Sequence, residues 1–123
     1  MKTIESREDI IVLVDTFYDK VNKDQLLSPI FNDIAKVDWE SHMPTMYNFW
    51  SSILLGTNNY SGRPFPKHLS LPIKQTHFNR WLQLFHANID AQFHGKLAEE
   101  AKTRASTIAQ IFTAKIEAIK GSI

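Results

Sequence analysis

The chain of 123 residues contains no cysteine. This absence excludes disulfide bonds, thiolate metal sites, a cysteine nucleophile and the Cys-x-x-Cys-His motif that attaches a cofactor covalently. Any metal must therefore be held by histidine, by carboxylate or inside a cofactor that is bound without a covalent link.

An excess of charge and long hydrophobic runs are absent as well. The 14 Lys and Arg residues against 13 Asp and Glu residues give a formal net charge of +1, and the basic residues are scattered. We therefore expect no nucleic-acid partner. No apolar run approaches the roughly 18 residues of a membrane span, and residues 1–9 contain no apolar signal core. These features predict a cytoplasmic protein that does not bind a membrane.

What the sequence does contain is typical of one globular domain over residues 1–123, with 43% hydrophobic and 22% charged residues. No segment shows strand alternation, and apolar residues recur at helical spacing, so the sequence predicts an all-α domain. The predicted elements are a helix from an N-cap at Ser6 to about Asn22, a short helical turn that starts at Asp24 and ends in a corner at residues 28–31, a helix from Trp39 to Gly56 with Pro44 in its first turn, a helix from residues 72–74 to Gly95, and a last helix from Lys96 to about Lys120.

One stretch that is predicted to be non-helical contains a candidate metal ligand, His68. Pro64, Pro66 and Pro72 fix φ, remove backbone donors and disfavour the α conformation in the residues before them. They make residues 63–72 a stiff bridge that holds His68 in place. Because a single histidine in a proline-rich loop is usually a surface residue, this pattern alone leaves the metal site open.

A second histidine, His42, lies on the apolar stripe of the helix predicted from Trp39. The spacing favours a boundary histidine over one that faces a cavity. The separation of 26 residues between His42 and His68 excludes a local His-x-x-x-His site. It allows two imidazoles to approach a large flat cofactor from opposite faces, in a slot lined by aromatic and aliphatic side chains. The stripe consists of His42, Met46, Phe49, Trp50 and Ile53.

Ordered motifs are spread over the chain: Phe17-Tyr18-Asp-Lys-Val21, Ser28-Pro29-Ile30-Phe31, His42-Met-Pro-x-Met46-x-Asn48-Phe49-Trp50, Leu55-Gly56, Tyr60-x-Gly62-x-Pro64-x-x-x-His68-Leu69 and His77-Phe78-x-Arg80-Trp81-Leu82-x-Leu-Phe85. Their set and order resemble the truncated haemoglobins, specifically group III, over roughly residues 10–112. The last helix matches only in its pattern. The resemblance implies a two-over-two helical sandwich that binds b-type haem, iron protoporphyrin IX.

The resemblance also implies roles for individual residues. His68 resembles the proximal histidine, the protein ligand of the haem iron. Tyr18 and Trp81 resemble the distal tyrosine and tryptophan of the family, which carry a phenol O–H and an indole N–H as donors. In a dry pocket such donors stabilise the negative charge of a bound gas and slow its dissociation.

Other positions match the distal wall and the rim of the cofactor. His42 matches the distal position where a side chain swings between pocket and solvent or ligates the iron itself, and Met46 lies one turn further on, over the porphyrin. The expected apolar lining is Phe17, Phe31, Phe49 and Trp50, and the candidate partners of the haem propionates are Arg63, Lys67 and His77. A solvated charge explains each of the last three equally well.

The expected function is reversible binding of O2, and also of NO or CO, by a monomer that is not primarily an enzyme. Two alternatives stay open. The same iron could catalyse NO dioxygenation or peroxide chemistry, which needs an external reductase because no reductase domain is recognisable in the sequence. A haem-free helical module could instead bind another ligand in the aromatic slot, or a metal at His86, Asp90 and His94, which share one predicted helical face.

Overall fold

The computed structural model describes residues 1–57 and 73–121 of the chain. In these ranges the chain forms four α-helices, namely α1 (Arg7–Lys23), α2 (Trp39–Leu55), α3 (Gln75–Gln92) and α4 (Lys96–Gly121). A π-helical segment, Ile30–Ile34, lies between α1 and α2. The described ranges contain no β-strand, which confirms the prediction of an all-α chain. None of the helices in these ranges has both the length and the apolar character that crossing a membrane requires.

Short-range signals set several of the helix ends. The N–H and the hydroxyl of Ser6 both donate to Oδ2 of Asp9, at 3.2 and 3.3 Å, and form a capping box at the start of α1. Gly56 at the end of α2 has φ +69°, and Gly95 between α3 and α4 has φ +98°. Glycine adopts this left-handed region without strain. The predicted N-cap and the predicted end of α2 at Gly56 are confirmed, whereas α3 ends at Gln92, before the predicted break at Gly95.

The four helices form two layers. α1 packs against both α2 and α3, and α3 packs against α4, whereas α2 and α4 touch only slightly. The pairs α1/α2 and α3/α4 are therefore the two layers of a two-over-two sandwich. The main core between α1 and α3 contains Leu13, Phe17, Phe85 and Ile89, all at most 2% exposed. Each such side chain contributes about 1.5–3 kcal/mol to the free energy of unfolding.

Two predictions about the chain around α2 are wrong. The helical segment begins at residues 28–29 and continues as Ile30–Ile34, whereas the sequence predicts that a turn ends there. The turn that the sequence predicts from Asp24 is present, because Oδ2 of Asp24 accepts the N–H of Leu27 at 3.0 Å and its carbonyl accepts the N–H of Ser28 at 3.0 Å. The sequence places Pro44 in the first turn of α2. Because α2 begins at Trp39, Pro44 lies in the second turn instead. Having no N–H, it cannot donate to the carbonyl four residues earlier.

The residues before α1 pair with the connection between α3 and α4. The N–H of Lys2 donates to the carbonyl of Gln92 at 3.2 Å, and the N–H of His94 donates to the carbonyl of Lys2 at 3.0 Å. These bonds form an isolated parallel bridge between Lys2 and Phe93. Phe93 is extended, with φ −130° and ψ 156°, so α3 ends at Gln92.

An ion pair joins the end of α1 to α3. Nε of Arg80 donates to Oδ1 of Asp24 at 2.7 Å, and the side chain of Asp24 is 6% exposed against 38% for Arg80. Burial by itself raises the pKa of Asp24. The hydrogen bonds from Arg80 and from two backbone amides outweigh this effect, so the pKa of Asp24 lies below its ordinary value of 3.8.

We expect Asp24→Asn to lower the free energy of unfolding at neutral pH by about 1–2 kcal/mol, because it removes the charged partner of a half-exposed arginine. The pKa of Asp24 is lower in the folded than in the unfolded chain. Its stabilisation is therefore complete above the unfolded pKa and is lost as the pH falls through the folded pKa. Urea unfolding at several pH values measures the difference, which should shrink below about pH 4.

The control for this prediction is Glu100→Gln, which removes a more exposed ion pair to Arg104 at 3.8 Å. Surface pairs contribute about 0–1 kcal/mol, so this variant should unfold almost as the native protein does. A stability difference between native protein and Asp24→Asn that stays constant down to about pH 2 would contradict the assignment.

Candidate functional site

Four rings meet where α1, the π-helical segment and α2 come together. Tyr18 of α1 is central, because its ring centroid lies 5.9 Å from that of Phe31, 5.5 Å from Trp39 and 5.2 Å from His42. All three contacts are edge-to-face, the geometry that ring quadrupoles favour. We call these four side chains the ring cluster. It places a phenol and an imidazole together in apolar surroundings.

Trp81 lies close to the ring cluster but belongs to α3. Its ring lies perpendicular to Phe17 at 5.6 Å and stacks on Phe85 at 5.4 Å. Phe17 is also 5.0 Å from Tyr18, so one phenylalanine contacts both Tyr18 and Trp81. Trp81 and Leu82 pack against the main core and against a second core between α3 and α4. Trp81 therefore lies at the junction of the two cores and the ring cluster.

α2 carries two adjoining apolar faces with different burial. Trp50 and Leu54 are buried in the main core. Met46 and Phe49 are only half-buried, although both are apolar. His42, also half-buried, continues this second face toward the start of the helix. A half-buried apolar face beside a ring cluster is suited to contact a flat apolar ligand.

Two polar groups of the ring cluster, on Tyr18 and His42, are buried. Tyr18 is 6% exposed, and burial raises the pKa of its phenol above the ordinary value of 10. Its hydroxyl therefore stays protonated, and able to donate, throughout the neutral pH range. Nε2 of His42 is also buried. A low local dielectric strengthens any hydrogen bond that such groups make to a ligand.

Side-chain hydrogen bonds hold α2 against α1. The hydroxyl of Tyr47 donates to Oδ1 of Asp15, and Nη2 of Arg7 donates to Oδ1 of Asn48 at 2.8 Å. Burial, and then the bond to Asp15, raises the pKa of Tyr47 to about 12. Its hydroxyl therefore stays a donor at neutral pH. These bonds fix the relative position of the helices that carry Tyr18 and His42.

His77 at the start of α3 has one ring nitrogen in use. Nδ1 accepts the backbone N–H of Lys74 at 2.9 Å, which satisfies one of the donors at the helix start. An accepting Nδ1 carries no proton, so the neutral ring has its proton on Nε2. The Nε2–H group is therefore the donor that His77 can offer to an anion.

The alternative metal site at His86, Asp90 and His94 is not formed. α3 ends before His94, so the three side chains do not share one helical face. Oδ1 of Asp90 accepts a bond from Nζ of Lys102 at 2.7 Å, and Nε2 of His86 lies 3.3 Å from the carbonyl of Lys102. Within the described residues no group of three or more metal-ligating side chains occurs.

Comparison with known proteins identifies the family. Residues 2–114 match the bacterial-like globin family. Over 111 residues the chain is 37% identical to Group 3 truncated hemoglobin ctb of Campylobacter jejuni, and the match covers 87% of each chain. The crystal structure of the group III truncated hemoglobin from Campylobacter jejuni matches with a TM-score of 0.84 at 36% identity, covering 94% of this chain and 95% of that one. This chain belongs to the group III truncated haemoglobins.

The described residues fit the haem that membership in the truncated haemoglobins implies. A haem requires an apolar slot and a few polar groups directed at its ligand. The half-buried face with Met46 and Phe49 is suited to line the apolar slot. Tyr18 and His42 in the ring cluster provide the polar groups. Family membership therefore implies haem-based binding of diatomic gases.

The structure of this truncated haemoglobin brings many of the predicted site residues together. Trp81 lies one ring away from the ring cluster, whereas Trp50 is directed into the main core. Arg63, Lys67 and His68 lie outside the described residues, and their roles stay predictions. The predicted residues in the ring cluster or on the half-buried face of α2 are Tyr18, Phe31, His42, Met46 and Phe49.

Trp39 belongs to the ring cluster, although the sequence-based site does not include it. Its ring stacks on Phe31 at 5.8 Å, and its Nε1–H donates to Oδ1 of Asn32 at 2.8 Å. Trp39 precedes His42 by three residues, so helical spacing places both on one face and could have identified it. Asn32 gives no such signal, because a single exposed asparagine in a connection has no periodicity.

Proposed function

We propose that this truncated haemoglobin reversibly binds O2 at a b-type haem whose iron is ligated by His68, and that Tyr18 and Trp81 stabilise the bound gas. NO and CO bind at the same position. The observation that carries the proposal is the setting of Tyr18. The Tyr18 side chain is 6% exposed and carries an O–H donor, and its ring centroid lies 5.2 Å from that of His42. The chain belongs to a family that binds gases at haem.

Haem supplies an iron with an open coordination position for a diatomic ligand. The side chains supply the environment of that position. The Tyr18 hydroxyl donates to the ligand, and the indole N–H of Trp81 provides a second donor from α3. A hydrogen bond to a charged acceptor contributes about 1.5–3 kcal/mol, which selects for ligands that acquire negative charge. The apolar rings around Tyr18 exclude the water that would compete for this bond.

The remaining parts of the proposal concern the proximal side and the rim. His68, in the proline-rich stretch, provides a neutral imidazole nitrogen. Nε2–H of His77 donates to a haem propionate, with Arg63 and Lys67 as further cationic partners. We propose that residues 1–123 act as one cytoplasmic, monomeric globin domain.

Absorption spectra of the purified, haem-supplemented protein test this function. We expect one haem per chain and an intense Soret band that shifts when the ferrous protein binds CO. Reversible O2 binding to the ferrous protein should be measurable by stopped flow. A protein that retains no stoichiometric haem would overturn the proposal and would favour the haem-free alternative.

A further inference from the structure

Asn32 connects Trp39 to the segment between α1 and α2. Oδ1 of Asn32 accepts the indole N–H of Trp39 at 2.8 Å. Its Nδ2 group donates to Oδ1 of Asn22 at 2.9 Å and to the carbonyl of Ser28 at 3.1 Å. The oxygen and the NH2 group of the Asn32 side chain are therefore both hydrogen-bonded. The bond to Oδ1 links the indole of Trp39 to a residue outside its own helix. The indole of Trp39 has one N–H group, and this group donates to Asn32. The side chain of Trp39 therefore has no donor left for the gas.

Trp39 also encloses His42. Side chains in a helix lean toward the N-terminus and onto the residue three or four positions earlier, so His42 leans toward Trp39. Their rings are perpendicular, with centroids 5.5 Å apart. Tyr18 and Phe31 border the same imidazole at 5.2 and 6.5 Å. Movement of His42 out of the ring cluster past Trp39 therefore requires the indole to move, and the indole moves only when its bond to Asn32 breaks.

We propose that the hydrogen bond between Trp39 and Asn32 limits the rate at which diatomic ligands reach the haem, by restraining His42 inside the ring cluster. Trp39 and Asn32 are thus positioning residues that act through His42. The inference rests on the proposed function, because it concerns the passage of a gas past His42 to the haem. It predicts an effect on association rates that is separate from the effect of Tyr18 on dissociation.

Flash photolysis of the CO-bound holoprotein tests the inference. Asn32→Ala should raise the bimolecular CO association rate about 2- to 10-fold, the range that one neutral hydrogen bond confers, and should change the O2 dissociation rate less than about 2-fold. Trp39→Phe keeps a ring but removes the N–H and should behave in the same way.

Ser41→Ala is the matched control, because the hydroxyl of this exposed residue on α2 donates only to the carbonyl of Asp38 among the side-chain bonds described, at 3.2 Å. It should leave both rates unchanged. A native association rate in Asn32→Ala and in Trp39→Phe would overturn the inference.

A second readout does not depend on gas binding. In protein labelled with ¹⁵N-tryptophan, the indole N–H of Trp39 should exchange with solvent more slowly in native protein than in Asn32→Ala. The indole signals can be assigned with Trp39→Phe. Equal exchange in native and Asn32→Ala protein overturns the inference while the proposed function stands. Absence of haem from the native protein overturns the proposed function and, with it, the role of this bond in gas access.

Discussion

Replacement of His68 by alanine is expected to remove the haem from this globin. The Soret absorbance of purified, haem-supplemented protein should fall by at least about tenfold, because the iron would lose the imidazole that we propose as its ligand. His68 is the only histidine between His42 and His77 in the sequence, and it lies in the proline-rich stretch of residues 63–72. No cysteine is present that could replace it as an iron ligand. Absorption spectroscopy with and without CO measures the effect.

Two further variants make this result specific to His68. His94→Ala changes an exposed histidine after α3 and should keep the full Soret band and its shift with CO. His68→Gly with added imidazole should recover haem, because free imidazole can replace the missing ligand. A Soret band of native intensity in His68→Ala would mean that another side chain ligates the iron, and His42 would then be the first residue to test.

The sequence predicts the helices well because their signals are local. Ser6 and Asp9 are three residues apart and form the capping box by themselves, and Gly56 ends α2 by its own backbone freedom. The end of α3 could not be predicted in this way. α3 stops at Gln92 beside a bridge to Lys2, a residue about 90 positions earlier in the chain. The same long-range contact explains why His94 does not share a helical face with Asp90.

The predicted site has the same division between local and long-range features. Motifs that resemble a known family identify Tyr18, His42 and Trp81, and His42 follows from the periodicity of α2 as well. The bond between Trp39 and Asn32 could not be predicted, because it depends on how the π-helical segment turns back toward the start of α2. No pattern in the sequence predicts that turn. It forms after Ile34, where the N–H of Val37 donates to the carbonyl of Phe31 at 2.9 Å.

Tyr18→Phe is expected to raise the O2 dissociation rate about 10- to 100-fold. This range corresponds to the loss of a hydrogen bond that contributes about 1.5–3 kcal/mol to ligand stabilisation. Phenylalanine keeps the ring that contacts Phe31, Trp39 and His42, so the substitution removes the hydroxyl with little change in packing. Burial raises the pKa of Tyr18, so the native rate should not vary through tyrosine ionisation between about pH 6 and 9.

The CO dissociation rate is the internal control for Tyr18→Phe, because bound CO carries less negative charge than bound O2 and gains less from a donor. It should change much less than the O2 rate. Trp81→Phe tests the second donor, and the double variant shows whether both act on one ligand, since groups that share a partner are non-additive. An O2 dissociation rate that is unchanged in Tyr18→Phe would leave Tyr18 as a packing residue, and the selectivity for O2 would then have to come from Trp81 or His42.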